Sequence, residues 1–126
     1  ETLISTLEAV KNSYNSYTMD SLALAVGEAS VRDEDYFREI CRKVMATRDR
    51  AADELRALGF EVTPSLTNFL FATHPSKKAP EIFAALREKG IFIRYFKLPR
   101  IDNHLRITVG TDEQMDALIA ALKEIL

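Results

Sequence analysis

The sequence has little of the chemistry that marks many enzymes and extracellular proteins. It contains one cysteine, no tryptophan, four glycines and two histidines among 126 residues. A single cysteine excludes an internal disulfide and fits a reducing compartment such as the cytoplasm. Cys41 falls on the apolar side of a predicted helix, so we expect it to be a small buried side chain.

Long apolar runs and an excess of positive charge are also absent. No run approaches the roughly 20 apolar residues that a membrane-spanning helix needs. The first segment is amphipathic, so we do not expect a signal peptide. The net charge of −2 argues against a surface for nucleic acid or for an anionic membrane. Any anion site must therefore be local.

The common catalytic and metal-binding motifs are missing as well. His74 and His104 lie far apart in the sequence, and neither forms a metal-ligand spacing with another histidine or the cysteine. The four glycines are isolated, which excludes a glycine-rich phosphate loop. No GxSxG motif occurs. The residues predict neither a metal site nor a catalytic centre, and we expect His104 to be a surface residue.

Apolar residues at helical spacing predict three helices in the first half of the chain. These helices cover residues 3–11, residues 18–29 and a segment of about 25 residues between Asp33 and Gly59. Asp33 is a suitable N-cap for the third helix, and Gly59 is suitable as the residue after its C-cap. Residues 12–17 have no helical period and favour turns.

The second half of the chain combines short strands with two helices. Strands are predicted at residues 60–62, at residues 68–73 and as two runs within residues 90–111, and helices at residues 80–89 and after Thr111. Residues 68–73 are apolar on both faces, which predicts a central strand. Thr111 and Gln114 have the form of a capping box. The inward face of the last helix is predicted to be Met115, Leu118, Ile119, Leu122 and Leu126.

This order of elements predicts a two-layer α+β fold and a single domain over residues 1–126. We expect a small mixed or antiparallel sheet of about four strands, with helices packed mainly on one face and a long helix in the N-terminal half. Because strand side chains alternate between faces, Leu105, Ile107 and Val109 should face the helices. Arg106 should then lie on the opposite face, which needs a polar partner.

Two arginines within residues 90–111 are the candidate binding residues. Arg94 and Arg106 each sit in a strand-like run of apolar residues. A dry, unpaired guanidinium costs several kcal/mol, and its planar fork suits a carboxylate or a phosphate. Arg106 could pair with Asp102 or Glu61 at a sheet edge, or it could bind an external anion, and the residues leave both open. The same choice holds for Arg94.

Four segments together resemble a known family. They are VKNSYNSY near the start, TNFLFA, IRYF and DNHLRITVGT, in this order. They are similar to the C-terminal part of the histidinol-phosphate aminotransferases, which are fold type I enzymes that use pyridoxal phosphate. The resemblance covers nearly the whole chain. It implies that the chain is a fragment, the small domain of an enzyme whose larger domain carries a mostly parallel central sheet.

The resemblance also implies an activity and its cofactor. The reaction is transfer of an amino group from L-histidinol phosphate to 2-oxoglutarate, with pyridoxal phosphate as electron sink and a lysine as its Schiff-base partner. None of the seven lysines lies in the family's lysine motif, which is expected upstream. We therefore expect the fragment to bind no cofactor and to be inactive by itself. The implied partners are the missing large domain and a second subunit.

The resemblance assigns roles to individual residues. Arg106 matches the arginine that holds the substrate carboxylate across the class. In the histidinol-phosphate branch, Arg94 and Arg106 would grip the phosphate of the donor and then a carboxylate of the second substrate. Asn68 and the run Tyr14–Tyr17 match segments near the domain junction, where we expect packing or hinge roles.

Three other functions remain open at this point. One is another class I or II aminotransferase, of the aromatic, aspartate or threonine-phosphate type. A second is a non-catalytic α/β module that senses an amino acid or a phosphate. A third is a sheet for single-stranded RNA with Phe69 and Phe92 as stacking platforms, although the basic surface for it is missing. If the chain is a small domain without its large domain, Leu22, Leu24 and Val26 are expected to be exposed where the large domain would sit.

Overall fold

The computed structural model describes residues 2–126, and the chain divides into two compact units, one up to Arg38 and one over Glu39–Leu126. The elements over these residues are α1 (Thr2–Tyr14), α2 (Ser21–Arg32), α3 (Glu34–Ala57), β1 (Glu61–Thr63), β2 (Phe69–Thr73), α4 (Ala79–Glu88), β3 (Arg94–Tyr95), β4 (Leu105–Thr108) and α5 (Asp112–Ile125). None of the helices over residues 2–126 is both long and apolar enough to cross a membrane.

Helix α1 of the first unit is longer than predicted, and α2 ends three residues beyond its predicted end. The expected non-helical segment is helical over residues 12–14, because α1 continues to Tyr14. Backbone hydrogen bonding there outweighs the weak turn preference of asparagine and serine. Helix α2 ends at Arg32 and contains Gly27 in its interior. An ion pair of 2.5 Å between Arg32 and Glu28, one turn apart, supports the added turn.

The start of α2 and its apolar side chains agree with the prediction. Asp20 caps the helix, since its carboxylate accepts a hydrogen bond of 2.7 Å from the backbone N–H of Ala23. Leu22, Leu24 and Val26 are exposed, with 71%, 58% and 55% of their surface accessible. The prediction that these three side chains lie uncovered is confirmed.

The second unit contains one antiparallel sheet with the strand order β1-β2-β4-β3. The predicted α+β fold with about four strands is therefore confirmed, and β2 is central as expected. Buried side chains of β2 and β4 form a core with those of α3, α4 and α5. Leu105 and Ile107 are almost fully buried, and Val109 is buried at the end of the strand. The prediction of which face of β4 meets the helices is correct.

The ends of the helices follow the predicted chemistry. Gly59 and Gly90 end α3 and α4 with φ of 89° and 77°, values that side chains other than glycine rarely adopt. The capping box between Thr111 and Gln114 is present at the start of α5.

Two predicted core residues are wrong. Leu126 follows the last residue of α5 and is 44% exposed, because the helix ends before its side chain reaches the core. Cys41 is half-buried, since α3 contributes buried residues only from Thr47 to Leu55.

Helix α3 is tied to the start of α5 by a polar cluster. The guanidinium of Arg50 donates to Asp112 at 2.9 Å and to Asp116 at 2.7 Å. The buried Thr47 hydroxyl donates to the same Asp112 carboxylate at 2.9 Å. The hydrogen bond from Arg50, followed by that from Thr47, lowers the pKa of Asp112. This cluster fixes the first turn of α5 against α3.

Replacing Gly110 with alanine should destabilise the chain by about 1 kcal/mol, through loss of half of the capping box. An added Cβ would lie 2.3 Å from Gln114 Oε1. That oxygen accepts the backbone N–H of Thr111 at 3.0 Å, so the alanine would displace it. Urea denaturation followed by circular dichroism measures the change.

Gly27→Ala is the matched control for this substitution. No heavy atom lies within 4 Å of a Cβ added there, and alanine is favoured over glycine inside a helix by up to about 1 kcal/mol. The two alanine variants should therefore shift stability in opposite directions. A Gly110→Ala variant as stable as the parent chain would contradict the role given to Gln114.

Candidate anion-binding site

The pairing of the strands places Arg106 between an aromatic residue and a second arginine. Arg106 lies opposite Phe71 of β2 and opposite Arg94 of β3. Residues that face each other across antiparallel strands share one face of the sheet, with Cβ atoms about 4.5–5.5 Å apart. Leu105 and Ile107 are buried on the other face. Alternation along β4 therefore turns Arg106 away from the core and next to Arg94, as predicted.

Aromatic rings support both guanidinium groups. The Arg106 guanidinium lies 5.3 Å from the ring centre of Phe69 and 5.6 Å from that of Phe96. The Arg94 guanidinium lies 5.1 Å from the same Phe96 ring. Cation–π contacts at such distances favour one placement of the cation. The two arginines are held by ring faces, which accept no conventional hydrogen bond.

Neither guanidinium has an acidic partner within residues 2–126, where no hydrogen bond or ion pair involves the side chain of Arg94 or Arg106. Arg106 Nε is buried without an acceptor. The alternative in which Arg106 pairs with Asp102 or Glu61 is therefore not what the structure contains. Glu61 lies on the edge strand β1, which is separated from β4 by β2.

This arrangement creates a local excess of positive charge. Two like charges directly opposite each other in a sheet repel, and a buried donor without an acceptor costs about 1–3 kcal/mol. A carboxylate or phosphate between the guanidinium groups would offset both terms through charge-assisted hydrogen bonds. Anion binding is thus the chemistry that the pair can perform.

His104 is more closely integrated into this face than the sequence indicated. Its ring is half-buried and stacks on Phe71, with ring centres 4.6 Å apart and planes 7° apart. His104 Nδ1 is buried without a hydrogen-bond partner. The expectation of a plain surface residue is wrong. The alternation of side chains, which puts His104 on the same face as Arg106, could have predicted this position.

The aromatic residues of the site were not recognised from the sequence. The sequence suggested Phe69 only as a stacking platform for RNA, but in the structure the Arg106 guanidinium lies over its ring. Phe92, the second proposed platform, is 77% exposed and makes no ring contact within the described part of the chain. Phe96 lies two residues after Arg94, and this spacing was the available signal for its contact with Arg94.

The run Tyr14–Tyr17 belongs to the first unit, and Asn68 belongs to the second unit. Tyr14 ends α1 and Tyr17 follows it, and both are strongly exposed within the first unit. Asn68 is exposed directly before β2, and its carbonyl oxygen accepts the N–H of Val109 at 2.9 Å. Their packing or hinge roles stay predictions.

The lysines of residues 2–126 lie outside the strands that carry the arginines. No lysine lies on the four strands. Lys77 donates to the carbonyl oxygen of Ile125, and Lys89 pairs with Glu124 at 2.5 Å. Both amino groups therefore already have a partner within the chain.

Comparison with known proteins places this geometry in context. Residues 1–122 match the protein family described as aminotransferase class I and II. The chain belongs to this family. The resemblance seen in the four sequence segments is thereby confirmed at the level of the family, and the pair of arginines is a feature of an aminotransferase chain.

Individual aminotransferases are similar over almost the whole chain. The histidinol-phosphate aminotransferase of Marinomonas sp. (strain MWYL1) is 55% identical over 123 residues, which are 96% of this chain and 35% of the relative. Histidinol-phosphate aminotransferase 2 of Dechloromonas aromatica (strain RCB) is 54% identical over 98% of this chain and 35% of its own length. This aminotransferase chain thus spans about a third of the length of these relatives.

A solved structure agrees with the sequence comparison. The crystal structure of histidinol-phosphate aminotransferase from Sinorhizobium meliloti, in complex with pyridoxal-5'-phosphate, matches with a TM-score of 0.79 and 30% identity. The match covers 96% of this chain and 34% of that chain. The antiparallel sheet and its helices are therefore the fold of one part of an aminotransferase.

Proposed function

We propose that this chain is the small-domain part of a histidinol-phosphate aminotransferase. The reaction transfers the amino group of L-histidinol phosphate to 2-oxoglutarate, giving imidazole acetol phosphate and glutamate, in histidine biosynthesis. The observation that carries the proposal is the similarity to histidinol-phosphate aminotransferases at 55% identity over 96% of the chain. The unneutralised arginine pair supports it, because the donor of this reaction carries a phosphate.

The chain's own contribution is to bind the anionic end of each substrate. Arg106 and Arg94 hold the phosphate of the donor, and afterwards a carboxylate of the second substrate. A phosphate monoester carries a charge of about −1.5 to −2 at neutral pH, which suits two guanidinium groups. Binding at this end orients the substrate so that its amino group reaches the reactive centre.

Pyridoxal phosphate is the proposed cofactor of the full-length protein, held by residues other than those described. The proposed full-length protein also includes the large domain and forms a homodimer in the cytoplasm. Residues 1–126 together belong to the small domain in this proposal. By itself the chain is expected to bind no cofactor and to be inactive, because none of its lysines lies in the family's lysine motif.

The full-length protein containing this sequence should transaminate L-histidinol phosphate. Its kcat/KM for this donor should exceed that for tyrosine, aspartate or threonine phosphate at least about tenfold. The proposed site would recognise one type of anionic group at one distance from the amino group of the donor. Steady-state kinetics with 2-oxoglutarate as acceptor give the comparison. A clear preference for another of these donors would transfer the proposal to that type of aminotransferase.

A non-catalytic anion sensor is the second candidate, because the arginine pair is complete within this chain. Such a module would bind its anion alone at micromolar strength, whereas part of an enzyme site binds weakly. Calorimetry of the 126-residue chain with histidinol phosphate, inorganic phosphate and glutamate separates the two. Micromolar binding to the isolated chain, together with no transamination by the full-length protein, would favour the sensor.

A further inference from the structure

We propose that Phe96 is a positioning residue that holds Arg94 and Arg106 side by side and so favours doubly charged anions over singly charged ones. The inference rests on the proposed function, since it concerns the same site. It adds a residue that acts through the two arginines, and it names the property of the anion that this residue selects.

The contacts of Phe96 distinguish it from the other aromatic residues. Its ring is approached by the guanidinium groups of both arginines, at 5.1 Å for Arg94 and 5.6 Å for Arg106. Phe69 contacts Arg106 alone, at 5.3 Å. Within residues 2–126, the side chain of Arg94 has no other ring contact, hydrogen bond or ion pair. Arg94 is exposed, so its guanidinium depends on Phe96 for a defined position.

An aromatic ring suits this task better than a carboxylate would. A carboxylate could hold both cations, but it would occupy their N–H donors and neutralise the charge that attracts the ligand. The face of a phenyl ring attracts a cation through its quadrupole and leaves the N–H donors free. Phe96 can therefore keep two like charges close together while both remain available to an external anion.

The selectivity follows from the number of cations that each anion needs. One carboxylate is satisfied by the bidentate fork of a single guanidinium. A phosphate dianion has three terminal oxygens and nearly two charges, so it gains from both guanidinium groups at once. Loss of the shared ring would release Arg94 first, because Arg106 keeps its contact with Phe69. Phosphate binding should suffer more than carboxylate binding.

The test uses the full-length enzyme with Phe96→Leu, Phe96→Tyr and the control Phe92→Leu. Phe92 is in the same segment, and the guanidinium of neither arginine lies over its ring. Each half-reaction is followed in single turnovers, and inorganic phosphate and acetate serve as inhibitors. Phe96→Leu should weaken inhibition by phosphate about fivefold and inhibition by acetate less than twofold, as expected for loss of a cation–π contact at an exposed site. Tyrosine should restore the parent behaviour.

A second readout does not depend on activity. In the full-length protein, the ring current of Phe96 should shift the side-chain Nε–H resonances of both arginines, and Phe96→Leu should move the resonances of both. Arginine resonances that do not respond to Phe96→Leu overturn the proposed contact. Equal weakening of phosphate and acetate inhibition overturns the selectivity. Neither result affects the proposed function, which fails only if the full-length protein lacks the transamination activity.

Discussion

Replacing Arg106 with lysine should lower kcat/KM of the full-length enzyme for L-histidinol phosphate and for 2-oxoglutarate, each by at least about tenfold, or about 1.4 kcal/mol. Lysine keeps the charge, but its ammonium group cannot form the bidentate pair of hydrogen bonds that a guanidinium forms. It would also make a weaker, less directional contact with the rings of Phe69 and Phe96, which position Arg106 in the structure.

Steady-state kinetics of both substrates, with circular dichroism as a check of folding, would measure this effect. Arg87→Lys is the matched control, because Arg87 is exposed on α4 and lies outside the arginine pair. Its kinetics should equal those of the parent enzyme. Unchanged kinetic constants for both substrates in the Arg106→Lys variant would remove Arg106 from the substrate site.

Replacing Arg94 with alanine should separate the two substrates. We expect kcat/KM for L-histidinol phosphate to fall at least about tenfold, because the phosphate dianion loses one of two charge-assisted contacts worth about 1.5–3 kcal/mol. The constant for 2-oxoglutarate should fall less than threefold, since Arg106 alone can hold one carboxylate in a bidentate pair. The exposed side chain of Arg94 makes a general loss of folding an unsuitable explanation.

Measurement of the two half-reactions separately would show this difference directly. Arg94→Lys should recover part of the donor reaction, because it restores a positive charge without the planar fork. If Arg94→Ala lowered the rate constants of both half-reactions by the same factor, the separate roles proposed for the two arginines would be wrong. The pair would then act as one unit towards both substrates.

Local patterns in the sequence predicted much of the second unit. Alternation along Leu105, Ile107 and Val109 identified the buried face of β4, because a sheet with one covered face separates apolar from polar residues at every second position. The box formed by Thr111 and Gln114 located the start of α5, because the residues that cap a helix are its immediate neighbours. Such features depend on residues close in the chain.

Features that depend on distant residues could not be read in the same way. The contact between Phe69 and Arg106 requires the register of β2 on β4, and a register shift of one residue would turn the side chain to the other face. Whether Arg106 has an acidic partner also depends on the strand order, which places Glu61 across β2. The sequence did not predict the ends of α1 and α2, because the residue signals that end a helix are weak at both positions.

Because no acidic side chain of residues 2–126 neutralises the arginine pair, the unbound protein keeps two like charges close together. Arg94 and Arg106 face each other across β3 and β4 with a buried Nε that lacks an acceptor. The face that carries the pair is therefore electrostatically frustrated, and an anion bound there would gain part of its binding free energy from relief of that repulsion. In the proposed function the substrate is this counterion, so the same interaction would link the stability of the sheet to the occupancy of the site.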